Sequence, residues 1–146
     1  ERVLQPQNIS EVMSTSMLVS TDNAHGVHPN FPEKHDPGHL PLINNGPVLK
    51  VNQNQAYATN SETSAVMNFL AKKENINLQS FVSRNDMGCG STIGPLTAMT
   101  VGVKTADIGV PTFAMHSIRE MAGTEDSYNL FRLLKSFYKI SSVEIN

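Results

Sequence analysis

Between Val19 and Asp36 the chain reads VSTDNAHGVHPNFPEKHD, which places three of its five histidines and two aspartates within eighteen positions, directly after an apolar stretch. Side chains of these types hold metals or move protons. An aspartate and a neutral imidazole are ordinary zinc donors, and a catalytic zinc takes about three protein ligands and leaves one position open to water. Asp22 and a distant imidazole, His116, could supply two of them, with His25 close to the first in sequence. His25 and His28 are spaced H-x-x-H, and His35 and His39 H-x-x-x-H, but Pro37 forbids the helix that would bring the second pair onto one face. Histidines in a polar loop are most simply solvated side chains, and His35 and His39, beside prolines and Asp36, are read that way. For His116, set among Phe113, Ala114, Met115 and Ile118, burial with a hydrogen-bonded partner competes with ligation.

Lys50 poses a second question, because V-L-K-V puts one charge on an otherwise apolar strand. Burying an unpaired ammonium is costly, so Lys50 either points to solvent from an edge strand or faces a pocket that supplies an anion. The turn MGCGSTIG (87–94) either offers backbone N–H groups to a ligand oxygen or uses glycine for tight dihedrals. It matches neither G-x-x-x-x-G-K-[ST] nor G-x-G-x-x-G, so a nucleotide site is poorly supported. Cys89 has no base placed beside it by sequence and is read as a small turn residue. Glu120, four after His116, either contacts that histidine or caps a helix, and no H-E-x-x-H zinc motif is present.

The elements that must position these groups follow from periodicity. A chain of 146 residues with 39% apolar content supports one core and one domain. Residues 9–16 read as the end of a helix, 17–22 as a strand, and 47–52, 78–86 and 103–111 as three further strands. Helices are expected over 59–74, with Ser61 as cap and Ala65, Val66, Phe69 and Leu70 on one face, over 92–101, and over 124–140. Residues 23–46, with four prolines and three glycines, read as one long loop. Alternating strands and helices predict a layered α/β/α fold with a mostly parallel sheet, whose ligand site lies outside the carboxyl ends of the strands. Asp22, Lys50, the glycine-rich turn and the segment FAMHSIRE (113–120) then collect at one edge.

A net charge of −2 with interspersed acids and bases gives no basic stripe, so nucleic acid is not an expected partner. No apolar run approaches the roughly eighteen residues of a membrane span, and the opening ERVLQPQN lacks the order of a signal peptide, so no membrane association is expected. The single cysteine fits a reducing, cytoplasmic setting. The chain opens at Glu1 rather than Met, which suggests part of a longer protein.

Four blocks, STDNAHGVHPNFPEKHD, INNGPVLKVNQNQAYATNS, RNDMGCGSTIGP and DIGVPTFAMHSIRE, occur in an order and spacing that closely resemble the C-terminal half of aspartyl aminopeptidases of bacterial type. That family comprises dinuclear zinc exopeptidases, and the resemblance covers residues 15–140. It implies a zinc-exopeptidase-like three-layer fold, here incomplete, and removal of N-terminal Asp or Glu from peptides by a water activated between two metals. Zinc is the implied metal, with manganese or cobalt as alternatives. Asp22 matches a ligand of one metal and His116 a ligand of the other. His28, Lys50, Tyr57, Gly90 and Gly94 match or border the substrate pocket, with Lys50 the partner of the acidic side chain. His25 matches a catalytic-site histidine near the metals. The family's H-x-D motif, bridging aspartate, Glu-Glu pair and inserted dimerisation domain resemble nothing in this chain. Residues 1–146 are thus expected to be the C-terminal part of one catalytic domain, inactive alone and homo-oligomeric when complete. The alternatives are an inactive structural or binding fragment that retains the fold, or a self-contained module that binds a metal or a carboxylate.

Overall fold

The computed structural model of the chain describes residues 8–84 and 86–142. The reading of the opening ERVLQPQN falls almost wholly outside the described residues, as does Asn85 of the expected third strand. In chain order the elements are α1 (Ile9–Thr15), β1 (Met17–Thr21), β2 (Ala24–His25), β3 (Val48–Val51), α2 (Ser61–Lys73), β4 (Gln79–Val82), α3 (Ile93–Val101), β5 (Lys104–Gly109), β6 (Pro111–Phe113), β7 (Met121–Ala122) and α4 (Thr124–Phe137).

The main sheet has the order β1-β5-β3-β4. β1 runs parallel to β5 and β3 parallel to β4, while β3 and β5 pair antiparallel through Val48↔Gly109 and Leu49↔Ile108. The sheet is therefore two parallel pairs joined by one antiparallel seam. As a consequence the four carboxyl ends do not share one edge: those of β1 and β5 lie side by side, and β3 and β4 point the other way.

Side-chain alternation along β5 sorts the layers. Ala106 and Ile108 face a core made with Leu49 and with Val66, Met67, Leu70 and Ala71 of α2 and Leu133 of α4. Asp107, on the opposite face, meets α3, where a Cβ on Gly94 would lie 2.4 Å from its Oδ1. Helices thus cover both faces, as the layered α/β/α expectation requires. Met67, Leu70 and Leu133 are fully buried, each stabilising the fold by about 1.5–3 kcal/mol through area removed from water.

The α2 cap is Asn60, not Ser61. Asn60 is extended, its Oδ1 accepts from Thr63 N (2.9 Å), and its own N–H donates to Thr63 Oγ1 (3.0 Å), a reciprocal capping box. The buried face of α2 runs through Thr63, Val66, Met67, Leu70 and Ala71, so Ala65 and Phe69 are exposed rather than packed. α4 ends at Phe137, three residues short of the expected end. Its buried Asp126 accepts from Asn44 N (2.6 Å) and Gly46 N (2.8 Å), which ties the helix to the loop before β3.

The segment 23–46 is not all loop. β2 pairs parallel with β6, which pairs antiparallel with β7, making a second, three-stranded sheet beside the first, and a single 3-10 turn spans Pro32–Lys34. These strands are two or three residues long and are defined by non-local pairing, which no local period records.

Candidate metal and substrate site

Asp22 follows the last residue of β1, and its N–H donates to Ile108 O at 3.0 Å. Gly109 permits this approach, since a Cβ there would lie 1.8 Å from Asp22 O. The Asp22 main chain is thereby fixed while its carboxylate stays open to solvent.

Lys50 occupies β3, an interior strand, and its side chain is only 1% exposed. The solvent-facing reading is excluded. Its Nζ lies 3.5 Å from Asp22 Oδ2, donates to Asn23 O at 3.4 Å, and sits 5.0 Å from the centre of the Tyr57 ring. Burial lowers the Lys50 pKa, opposed by the carboxylates of Asp22 and Asp107. Among the described residues the ion pair with Asp22 is the one this ammonium makes, and 3.5 Å is long for a charge-assisted hydrogen bond.

His25 closes β2, held by pairing of Ala24 and His25 with Pro111 and Thr112. Its pKa is lowered, first by desolvation and then by His35, His116 and Lys50, with Asp22 acting the other way. His25 is thus within electrostatic reach of both proposed metal donors and of the buried lysine. His116 lies beyond β6 and is exposed, which removes the buried-core alternative. Its backbone is left-handed (φ 68°), as is that of Ala114 (φ 54°), a cost that non-glycine residues bear mainly where a side chain must be aimed. Its N–H donates to the Glu120 carboxylate, so Glu120 holds the turn and does not cap a helix.

A cavity of about 380 Å³ opens between the small sheet, β4 and the glycine-rich turn, with His25, His28, Tyr57, Phe81, Cys89 and Gly90 in its wall. His28 packs between Phe31 and Phe113 (centroids 5.4 and 5.3 Å), and its Nδ1 accepts from Asn30 N. Tyr57 is buried edge-on to Phe81, and burial, then its contact with the Cys89 thiol, raise its pKa. Ser83 Oγ donates to Cys89 Sγ at 2.9 Å. Gly90 has open space where a Cβ would stand, so conformation does not demand glycine there. Gly94 is buried in α3 against Asp107 and is not part of the cavity wall.

The structure therefore brings His25, His28, Tyr57 and Gly90 to one cavity, and Asp22 and Lys50 to an adjoining cluster that shares Tyr57. Two residues escaped the sequence reading. Asp107, fully buried, accepts from Ala58 N (2.6 Å) and Thr92 Oγ1 (2.9 Å) and so fixes the segment after Tyr57 and the start of α3. A lone acid within T-A-D-I-G is the same signal as the lysine in V-L-K-V. His35, read as a solvated loop residue, is only 8% exposed and lines the cavity.

Asp22 and His116 offer one carboxylate and one imidazole, donors that suit zinc. Among the described residues no group of three or more His, Cys, Asp or Glu side chains is placed to hold a metal ion. The donor chemistry fits the metal, but the number falls short of what one catalytic zinc takes.

Residues 3–138 match the family described as Aminopeptidase I zinc metalloprotease (M18). A probable M18 family aminopeptidase 2 of Pseudomonas aeruginosa is 58% identical over 92% of this chain, and one of Pseudomonas fluorescens is 62% identical over 84%. The chain spans only 31% and 29% of those relatives. Among solved structures, the complex of Ape4 and Nbr1 superposes with TM-score 0.89 at 42% identity, covering 92% of this chain and 26% of that one. The Saccharomyces cerevisiae mApe1 dodecamer superposes with TM-score 0.81 at 31% identity, covering 92% and 29%. With its family match over nearly the whole length and its three-layer fold reproduced in those structures, this chain belongs to the M18 family of zinc metalloproteases.

Proposed function

We propose that these residues are the C-terminal part of the catalytic domain of a metallo-aminopeptidase that removes N-terminal Asp or Glu from peptides. The observation that carries this reading is Lys50, an ammonium buried on an interior strand whose nearest carboxylate oxygen is 3.5 Å away. A buried cation whose one anion stands at a loose 3.5 Å can take a second, and a substrate carboxylate bound there gains a charge-assisted hydrogen bond in a desolvated setting. Tyr57, stacked below Nζ, shapes the same recess.

Asp22 and His116 would each hold a metal, zinc in this reading with manganese or cobalt able to replace it, and the other donors and the general base come from residues outside this chain. Bound zinc supplies Lewis acidity toward the scissile carbonyl and a water of near-neutral pKa. The residues of this chain orient and exclude. His25, whose pKa is lowered first by burial, stands beside the site, His28 and Gly90 border the bound peptide, and Gly94 acts from behind by seating Asp107. A homo-oligomeric, cytoplasmic enzyme is part of this proposal. The first point draws on the dodecamer named for the yeast relative and the second on the single, reduced cysteine.

The test is Lys50→Met in the complete polypeptide carrying these residues. Removing one partner of a buried charge pair costs several kcal/mol, so cleavage of an aspartyl substrate is expected to fall about 100-fold while an alanyl substrate changes by less than about threefold. Equal losses on both substrates contradict the pocket assignment.

A further inference from the structure

His35 does something that neither the metal donors nor the lysine pocket explains. It lies in the segment that leaves β2 of the small sheet, crosses a 3-10 turn and runs on to β3 of the main sheet, yet it is 8% exposed in a region of mostly open residues. Its Nε2 is 3.3 Å from His25 O. A carbonyl only accepts, so Nε2 carries the proton of this contact, which leaves Nδ1 as the one other polar atom of the ring. That Nδ1 is buried and has no hydrogen-bond partner among the described residues. The ring also stands edge-on to Phe81 at 5.9 Å, the same aromatic that contacts His25 and Tyr57.

A buried polar atom without a partner is a cost that an apolar ring of similar shape would avoid. Stability alone therefore argues for phenylalanine at this position, and the imidazole is accounted for by its one directed contact, the bond to the His25 carbonyl. That peptide group is where β2 ends. Gly26 N donates to Thr112 O at 3.0 Å and Val27 N to Pro41 O at 2.8 Å, so the chain turns there from the small sheet into the cavity wall. His25 and His28 flank the turn.

We propose that His35 is a positioning residue: its Nε2–H bond to the His25 carbonyl and its packing on Phe81 fix the His25–His28 stretch, so that these imidazoles meet the bound peptide in one arrangement. The inference rests on the aminopeptidase reading for its kinetic consequence but not for its structural one, and the two are measured separately.

The experiment compares the complete, zinc-loaded polypeptide with His35→Phe, His35→Gln, His25→Ala and the double variant His25→Ala/His35→Phe. Hydrogen exchange reads the structural consequence whatever the activity. His35→Phe should speed exchange of the Gly26 and Val27 amides about tenfold or more with the thermal midpoint within about 2 °C of wild type, and His35→Gln, whose amide N–H can reach the same carbonyl, should restore protection. With an aspartyl anilide as substrate, His35→Phe should lower kcat/KM about tenfold, His35→Gln should recover most of it, and His35→Phe should add less than about twofold in the His25→Ala background, since residues acting through one another are not additive. Unchanged exchange in His35→Phe overturns the proposal. So do losses that multiply in the double variant, or a fall in activity that follows a fall in thermal midpoint. A wild-type polypeptide without aminopeptidase activity refutes the functional reading instead, and the exchange result then decides His35 alone.

Discussion

Asp107 offers a quantitative test of how the site is held. Its fully buried carboxylate accepts from Ala58 N at 2.6 Å and from Thr92 Oγ1 at 2.9 Å, joining the segment after Tyr57 to the N-terminus of α3. Hydrogen bonds to a charged group are each worth about 1.5–3 kcal/mol, so Asp107→Ala removes about 3–6 kcal/mol of interaction. Part of that is offset, because the variant no longer buries a charge, and a net loss of about 3 kcal/mol is expected. For a domain of this size and somewhat larger, 1 kcal/mol moves the thermal midpoint by about 2–4 °C, giving a fall of about 6–12 °C. Asp107→Asn retains one acceptor and should lose about half as much. Gly94 adds an internal control, since a Cβ there would stand 2.4 Å from Asp107 Oδ1. Gly94→Ala should therefore destabilise the wild type and cost far less in the Asp107→Ala background, where the obstructing oxygens are gone. Differential scanning calorimetry of the wild type and the four variants measures all of this. An Asp107→Ala midpoint within about 1 °C of wild type, or Gly94→Ala effects that are the same in both backgrounds, would refute the assigned role.

Other perturbations follow from the same contacts. Leu70→Ala empties a fully buried position between α2 and the sheet and should cost about 2–5 kcal/mol in denaturant unfolding, whereas Phe69→Ala, one residue along on the exposed face, should cost much less. Gly109→Ala forces a Cβ onto the Asp22 carbonyl and should destabilise the fold and lower metal affinity together, as read by calorimetry and zinc titration. Tyr57 has its pKa raised above the ordinary 10.0, so the folded state holds that proton more tightly than the unfolded chain. Its contribution is constant below the unfolded value and is lost as pH rises past it. The alkaline fall in stability should accordingly be shallower in Tyr57→Phe, and a fall of unchanged steepness would argue against the burial of that hydroxyl.

What could be read in advance divides along local and non-local lines. The strands around Leu18, Leu49, Phe81 and Ala106 and the helices around Leu70 and Leu133 announce themselves by apolar periodicity, which is a local property. The antiparallel seam between β3 and β5 does not, because strand direction is settled by which partner is reached after long connections. The same cause hid β2, β6 and β7, whose two or three residues gain meaning only through each other. Asn60 displaced Ser61 as cap by a single residue, because the Thr63 hydroxyl completes a reciprocal pair with its main chain. Asp22 and His116 stand out by donor type and by family resemblance, and their metal role is a proposal. Lys50 was ambiguous from pattern alone, since a charge in an apolar strand reads the same whether it faces solvent or a buried recess. His35 was misread because loop composition predicts exposure, whereas this loop folds back on Phe81.

The central claim is that this chain carries only part of a two-metal site, with Asp22 and His116 as its contribution. Native mass spectrometry with zinc supplied tests it most directly, by comparing the complete polypeptide, its Asp22→Ala variant and the 146-residue chain alone. The account predicts two zinc ions per subunit in the complete polypeptide, loss of at least one in Asp22→Ala, and no firmly held zinc on the 146-residue chain. A 146-residue chain that holds one zinc tightly, and loses it in Asp22→Ala, would contradict the account and identify a self-contained metal-binding module.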